Sequence, residues 1–192
     1  MKEMIEIRWH GRGGQGAKTA ALLLADAALG SGKYVQAFPE YGPERMGAPV
    51  ASFDRISSKP ILLHSAVTNP DVVLVLDPTL IESVDITEGV PDGGILIINT
   101  EKSPADIKSE LNITGKIKVY TIDASKISKE TIGREIPNTP LLGALLKVTG
   151  MLDFKETVED MRKKLEKKFK SKPEVIEGNI KAIERAYNEV KS

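Results

Sequence analysis

The chain has 192 residues, 41% hydrophobic and 28% charged, and its 27 basic side chains balance its 27 acidic ones. That composition excludes a disordered chain and supplies no basic excess for nucleic acid. With no cysteine and only His10 and His64, the chain holds no disulfide, no thiolate-bound iron–sulfur cluster and no cysteine nucleophile, and a histidine-built metal site is not expected.

Met1 to Met4 lacks the apolar core of a signal peptide, and the longest apolar runs, such as Val72 to Leu76, are strand-sized. A cytoplasmic protein that does not enter a membrane is therefore expected. Ile5 to His10 alternates apolar and polar residues and predicts a first strand. The cluster Gly11-Arg12-Gly13-Gly14-Gln15-Gly16 follows at once, and then Ala17 to Leu29, rich in Ala and Leu, predicts a helix ended by Gly30-Ser31-Gly32. Tyr34 to Phe38 is a second strand, so the opening reads as one βαβ unit. Pro39 to Gly47 is a loop, and Val50 to Ile56 another strand. Its short connection to the strand before it forbids a parallel crossover, so it should run antiparallel. Asp71 to Asp77 and Gly94 to Asn99 contain continuous apolar cores, the pattern of strands buried on both faces, and Lys118 to Ile122 is a shorter example. Helices are predicted between them at Pro78 to Val84 and Pro104 to Leu111.

Beyond Pro137 the character changes. Thr139 to Val148 is an apolar helix closed by Gly150. Phe154 to Phe169 is amphipathic, with Val158, Met161, Leu165 and Phe169 on one stripe. Pro173 opens a last helix with Ile176, Ile180, Ile183 and Tyr187 at helical spacing. The expected fold is α/β: three layers, α/β/α, with a Rossmann-like, mostly parallel sheet, at least one antiparallel strand and a helical C-terminal tail. Residues 1–150 read as the α/β domain. Residues 151–192 read as a helical extension, packed on that domain or on a partner.

Gly11, Gly13 and Gly16 satisfy Gly-x-Gly-x-x-Gly between a strand and a helix, where free N–H groups and the positive helix end welcome an anion. An NAD site also wants an acidic residue ending the second strand. Here that strand ends Gln36-Ala37-Phe38-Pro39, with Glu40 displaced into a loop. A phosphate P-loop fails because Ala17 is inserted before Lys18-Thr19, and one extra helical residue turns the lysine by about 100°. A turn built only for packing explains Gly11 and Gly16 but not two polar donors, Arg12 and Gln15, at its tip. A contact to an anion, a carbonyl or a partner chain is expected there.

The second loop joins two prolines and two glycines, which fix an irregular backbone, to Glu40, Glu44 and Arg45, with Tyr41 and Met46 as adaptable apolar contacts. Its plain alternative is a surface pair of Arg45 with Glu40 or Glu44, worth little. Both loops are expected at the carboxyl edge of the sheet, where ligands bind in open α/β folds.

These two segments, GRGGQGAKTAA and EYGPERMGAPV, in this order, resemble the gamma subunit of pyruvate and related 2-oxoacid:ferredoxin oxidoreductases and the matching internal domain of the single-chain enzymes. The likeness is continuous from Ile5 to about Ile61 and looser through Thr149, with PNTPLLGALL (Pro137 to Leu146) as a later shared element. It implies a subunit of a complex with alpha, beta and delta partners that passes electrons from pyruvate to ferredoxin and an acyl group to coenzyme A. In that family thiamine diphosphate, Mg2+ and [4Fe-4S] clusters are held by other subunits. No metal or cofactor is implied for this chain alone, and no catalytic residue is assigned in it. The implied role is active-site lid, coenzyme A-side element and subunit-docking domain. The residues that would face the site are Gly11, Arg12, Gly13, Gly14, Gln15 and Gly16 in the first loop, and Glu40, Tyr41, Gly42, Pro43, Glu44, Arg45, Met46 and Gly47 in the second. A branched-chain 2-oxoacid in place of pyruvate, or a free-standing nucleotide-binding regulator, are the alternatives. His10 could touch a ligand or be a hydrogen-bonded strand end. Asp77-Pro78 and Asn99-Thr100 could face the site or be turns. Asn138-Thr139-Pro140 reads as a helix N-cap, and His64 as structural.

Overall fold

The computed structural model describes residues 2–39, 47–170 and 172–192. Its elements are β1 (Met4–Arg12), α1 (Ala17–Gly30), β2 (Tyr34–Pro39), β3 (Pro49–Ser57), β4 (Val72–Val75), a 3-10 turn (Pro78–Glu82), β5 (Ile95–Asn99), α2 (Pro104–Glu110), β6 (Lys118–Ile122), α3 (Ala124–Ile132), α4 (Asn138–Thr149), α5 (Phe154–Lys168) and α6 (Pro173–Glu189). The sheet runs in the order β2-β3-β1-β4-β5-β6. β1, β4, β5 and β6 are parallel. β3 is antiparallel to both β1 and β2, as its short connection requires. The opening is therefore not a simple βαβ unit. β3 pairs with β1 from Met4↔Ser57 to Arg12↔Pro49, and this long ladder separates β2 from β1.

The parallel strands divide their side chains between two cores, as a two-residue period dictates. Ile7, Trp9, Val72, Leu74, Leu76, Ile97 and Ile122 join α1, α3, α4, α5 and α6 on one face. Val73, Val75, Leu96, Ile98 and Val119 meet Ile107 of α2 and Ile86 on the other. Residues 151–192 belong to the first core: Met151, Leu152, Met161, Ile180 and Ile183 are all buried in it. Gly143 of α4 lies directly against the Ile183 carbonyl of α6, so those helices approach as closely as backbones allow. Lys191 then closes the β6 edge with a two-way bridge to Thr121, at 3.1 and 2.9 Å.

The helix starts follow local chemistry. Ser103 and Asp106 form a capping box on α2, and Asp123 and Asp153 cap α3 and α5 through the N–H groups of Lys126 and Glu156. α3 lies between the predicted elements because its short, charged sequence hides its period. The expected helix at Pro78 is a single 3-10 turn, started by Asp77. α4 begins one residue earlier than expected, with Pro137 at the N-cap and no side-chain cap, so Asn138 is not the cap residue.

On its second face β1 carries Glu6, Arg8 and His10, and loops rather than a helix cover it. Loop carbonyls lack ladder partners and need donors. Arg8 supplies them to Ile86 and Glu88. Arg55, 1% exposed, supplies them to Ser65 and Ala66 while pairing with Glu6 at 2.8 Å.

Candidate functional site

The glycine loop closes the carboxyl end of β1. Gly14 has φ 96° and Gly16 φ 88°, both left-handed, so the turn into α1 is built from residues without a Cβ. At Gly14 an added Cβ would meet no atom within 4 Å, whereas at Gly16 it would sit 2.8 Å from Asn138 Nδ2. The amide of Asn138, at the start of α4, thus fills the space that the missing side chain leaves. α1 has no side-chain cap and no acidic residue in its first turn.

Arg12 and Gln15 do not project freely from the tip. The Arg12 N–H donates to Gln15 Oε1 at 2.7 Å, and Gln15 Nε2 donates to Asp77 Oδ2 at 2.6 Å. The Arg12 guanidinium reaches Gly47 O at 3.1 Å, Thr79 Oγ1 at 2.8 Å and Asp77 Oδ2 at 3.2 Å. The other oxygen of Asp77 accepts from the N–H and hydroxyl of Thr79 at 3.0 and 2.7 Å. Burial raises the Asp77 carboxyl, but the hydrogen bonds from Thr79 and Gln15 and the Arg12 charge outweigh it and hold the group below the ordinary carboxylate range. Asp77, two residues beyond β4, is therefore both a turn former and the anchor of the glycine loop. Its position just after a fully buried strand was the available signal.

Backbone bonds tie the glycine loop to the end of the second loop: Gly13 N–H to Ala48 O at 2.9 Å and Gly47 N–H to Gly13 O at 3.2 Å. Glu40, Tyr41, Gly42, Pro43, Glu44, Arg45 and Met46 lie outside the described residues. Gly47, with φ 85°, is the part of that loop placed beside the first. The two loops leave β1 and β2, which are separated by β3 and not adjacent.

Two clefts flank β1. One, of about 500 Å3, follows the carboxyl ends of β4, β5 and β6 and is lined by Gln15, Asp77, Glu101, Asp123, Glu135 and neighbouring residues. Four carboxylates make it a poor seat for phosphates. Asn99 is not a free ligand there. It donates to Leu76 O and Ser125 Oγ and accepts from the Ser125 N–H, locking β4, β5 and the start of α3. The second cleft, about 630 Å3, lies under the loops on the other side of β1. It is lined by Arg8, His10, Phe38, Val50, Phe53 and Val67 among others. His10 is 7% exposed, and its Nε2 has no hydrogen-bond partner among the described residues. Burial, aided by Arg8, lowers its pKa to about 4, so the imidazole is neutral at pH 7. His64 is exposed in the loop after β3.

A dinucleotide site does not fit this frame. β3 pushes the end of β2 two strand spacings from β1, about 10 Å, and the neighbouring cleft repels phosphate. Lys18 lies beside Ala37, Phe38 and Ser52, toward β2 and β3. Among the described residues no group of three His, Asp or Glu side chains could hold a metal ion, and no helix is long and apolar enough to cross a membrane.

A mixed sheet with an inserted antiparallel strand, a glycine loop clamped by an aspartate and a helical face continuing to the C-terminus define the class. The chain belongs to the pyruvate ferredoxin/flavodoxin oxidoreductase family, whose sequence profile matches residues 6–189. It is 51% identical over 192 residues to pyruvate synthase subunit PorC of Thermotoga maritima, covering 99% of this chain and 96% of that one. It is 48% identical over 186 residues to the pyruvate/ketoisovalerate oxidoreductases common subunit gamma of Thermococcus kodakarensis, covering 96% of each. The crystal structure of the Thermotoga maritima pyruvate oxidoreductase subunit PORC matches with a TM-score of 0.84 at 46% identity, over 99% of this chain and 98% of that one.

Proposed function

We propose that this chain is the gamma subunit of a pyruvate:ferredoxin oxidoreductase, a non-catalytic element of an enzyme that converts pyruvate, coenzyme A and oxidised ferredoxin to acetyl-CoA, CO2 and reduced ferredoxin. The observation that carries the reading is the near full-length likeness to pyruvate synthase PorC in sequence and structure. A chain without cysteine cannot hold a thiolate-bound cluster, which supports a division of labour in which the [4Fe-4S] clusters, and with them thiamine diphosphate and Mg2+, belong to the other subunits. The T. kodakarensis relative is named as common to pyruvate and ketoisovalerate enzymes. That favours a gamma subunit that does not choose the 2-oxoacid.

The glycine loop and the 40–47 loop are the proposed coenzyme A-side and docking elements. Their β3 side, where Gly13 meets Gly47 and Ala48, is favoured over the carboxylate-lined cleft on the β4 side, because coenzyme A carries phosphates. A lid role is part of the same proposal. Alpha, beta and delta subunits are the proposed partners. The test is purification of the chain alone and with its partners. Alone it should be colourless and inactive with pyruvate, coenzyme A and ferredoxin; with cluster-bearing chains it should restore activity. Turnover by the isolated chain, or its failure to join such a complex, refutes the proposal.

A further inference from the structure

Among the described residues, the large hydrophobic side chains left exposed are Leu22, Leu29, Tyr34, Leu62 and Leu63. They are not scattered. Leu22 shares a crevice with Ala37, Phe38 and Pro39 of β2. Leu29 lies in the last turn of α1, whose Ala28 and Leu29 carbonyls bind the turn that leads directly into β2. Tyr34 is the first residue of β2. Leu63 is held beside β2 by the bond from Gln36 Nε2 to its carbonyl at 2.9 Å, and Leu62, 84% exposed, precedes it. Leu22, Tyr34 and Leu63 thus lie on or beside one strand, with Leu29 and Leu62 close to them along the chain.

β2 is also an outer strand of the sheet, paired only with β3. Exposed edges invite strand addition, and soluble chains blunt them with charge or cover them. The far edge is covered, because the chain's own C-terminus bridges β6 through Lys191 and Thr121. The β2 edge is treated differently. Tyr34–Pro39 contains no charged residue, and exposed apolar side chains lie beside it. Lys33 precedes the strand, Lys18 lies in the crevice beside its end, and neither is ion-paired among the described residues.

We propose that the β2 edge is a strand-addition surface. On it an extended, apolar segment of another subunit of the oxidoreductase, carrying carboxylates near its ends, adds a seventh strand to the sheet. Main-chain bonds to β2 supply register, and the leucines beside it receive side chains of the incoming segment. Lys18 and Lys33 meet its carboxylates. This rests on the reading of the chain as a subunit and adds to it where, and by what geometry, a neighbour attaches.

The test is amide hydrogen exchange of residues 34–39 in the full chain alone and in the assembled complex, with Leu22→Glu and Leu62→Glu variants of the complex. Both leucines are exposed, so the variants should melt with the wild-type chain. Expected are at least tenfold slower exchange on assembly at the β2 amides not already bonded to β3, and at least tenfold weaker subunit association in the double variant. A complex that forms with β2 unprotected, or a double variant that assembles normally, overturns the edge proposal alone. Failure to form any complex with the other subunits overturns the subunit reading and this one together. Protection of β2 in the isolated chain, accompanied by a dimer on gel filtration, makes the occupant a second copy and also overturns it.

Discussion

Gly16→Ala tests the junction of the glycine loop with α4. Two costs add. Gly16 has φ 88° and ψ 24°, a left-handed conformation that costs an L-residue about 1–2 kcal/mol. The new methyl would also stand 2.8 Å from Asn138 Nδ2. Asn138 is buried, and its Oδ1 accepts from the Thr139 N–H at 2.7 Å, so the amide cannot swing aside without loss, and overpacking of this kind costs about 1–3 kcal/mol. The expected total is about 2–5 kcal/mol, read by urea denaturation followed by far-UV circular dichroism. Each kcal/mol should lower Tm by roughly 2–4 °C in a chain of this size. Gly14→Ala is the control: its φ is equally left-handed, but an added methyl meets nothing within 4 Å, so only the conformational cost of about 1–2 kcal/mol should appear. Asn138→Ala should rescue part of the Gly16→Ala loss, because neighbouring sites couple. Equal costs for Gly16→Ala and Gly14→Ala, together with strict additivity of the Asn138 double mutant, would refute the contact.

Asp54 is fully buried, with one oxygen accepting from Trp9 Nε1 at 2.7 Å and the other unpartnered among the described residues. Burial raises its pKa well above 3.8, and the Trp9 bond opposes this without cancelling it. The folded state holds a proton that the unfolded chain releases near pH 4, so stability should fall as pH rises from about 4 through the folded pKa. Asp54→Asn should flatten that slope, with Trp9 fluorescence following the unfolding; an unchanged slope refutes the assignment. Asp77 is the opposite case: its folded pKa is depressed, so its contribution is present above the unfolded value and lost as pH falls below about 4. Asp77→Ala should cost about 1–2 kcal/mol from the lost cap on Thr79 and loosen Gln15 and Arg12, seen as faster amide exchange at residues 12–16. Wild-type exchange there would show that the clamp is not needed. Arg45→Ala should raise the KM for coenzyme A or weaken assembly about tenfold or more, as loss of a charge-assisted contact implies. Arg45→Lys should not fully restore a bidentate contact, and wild-type behaviour of Arg45→Ala in both assays would leave a surface pair.

The parts of the fold legible in the sequence are those whose signal is local. Val72–Leu76 and Ile95–Ile98 announce buried parallel strands because both faces are apolar. The nine residues between β2 and β3 announce an antiparallel turn because no crossover fits. The insertion of β3 between β1 and β2 was not legible. Strand order is set by which ladder buries more, and β3 matches β1 along its whole length while β2 reaches only part of β3. α3 escaped for a different reason. Its sequence, ASKISKETI, has two isoleucines five residues apart, too few to reveal a helical stripe, and it is held by Asp123, Asn99 and α6 instead.

The candidate site shows the same division. The glycines could be read from their spacing, and the left-handed φ at Gly14 and Gly16 is the physical reason they are there. The fate of the polar residues between them could not, because it depends on a partner more than sixty positions away. Arg12 and Gln15 look like donors awaiting an anion until Asp77 is brought to the same strand edge, where its two oxygens take up Gln15, Arg12 and Thr79. A loop whose side-chain donors are already used can still offer its peptide groups and its shape, and at Gly14 the space beyond the α-carbon is open among the described residues. Under the proposed function, recognition at this edge would fall to the backbone of Gly13 and Gly14, while Arg12 and Asp77 form the frame that holds the glycine loop and Gly47 together.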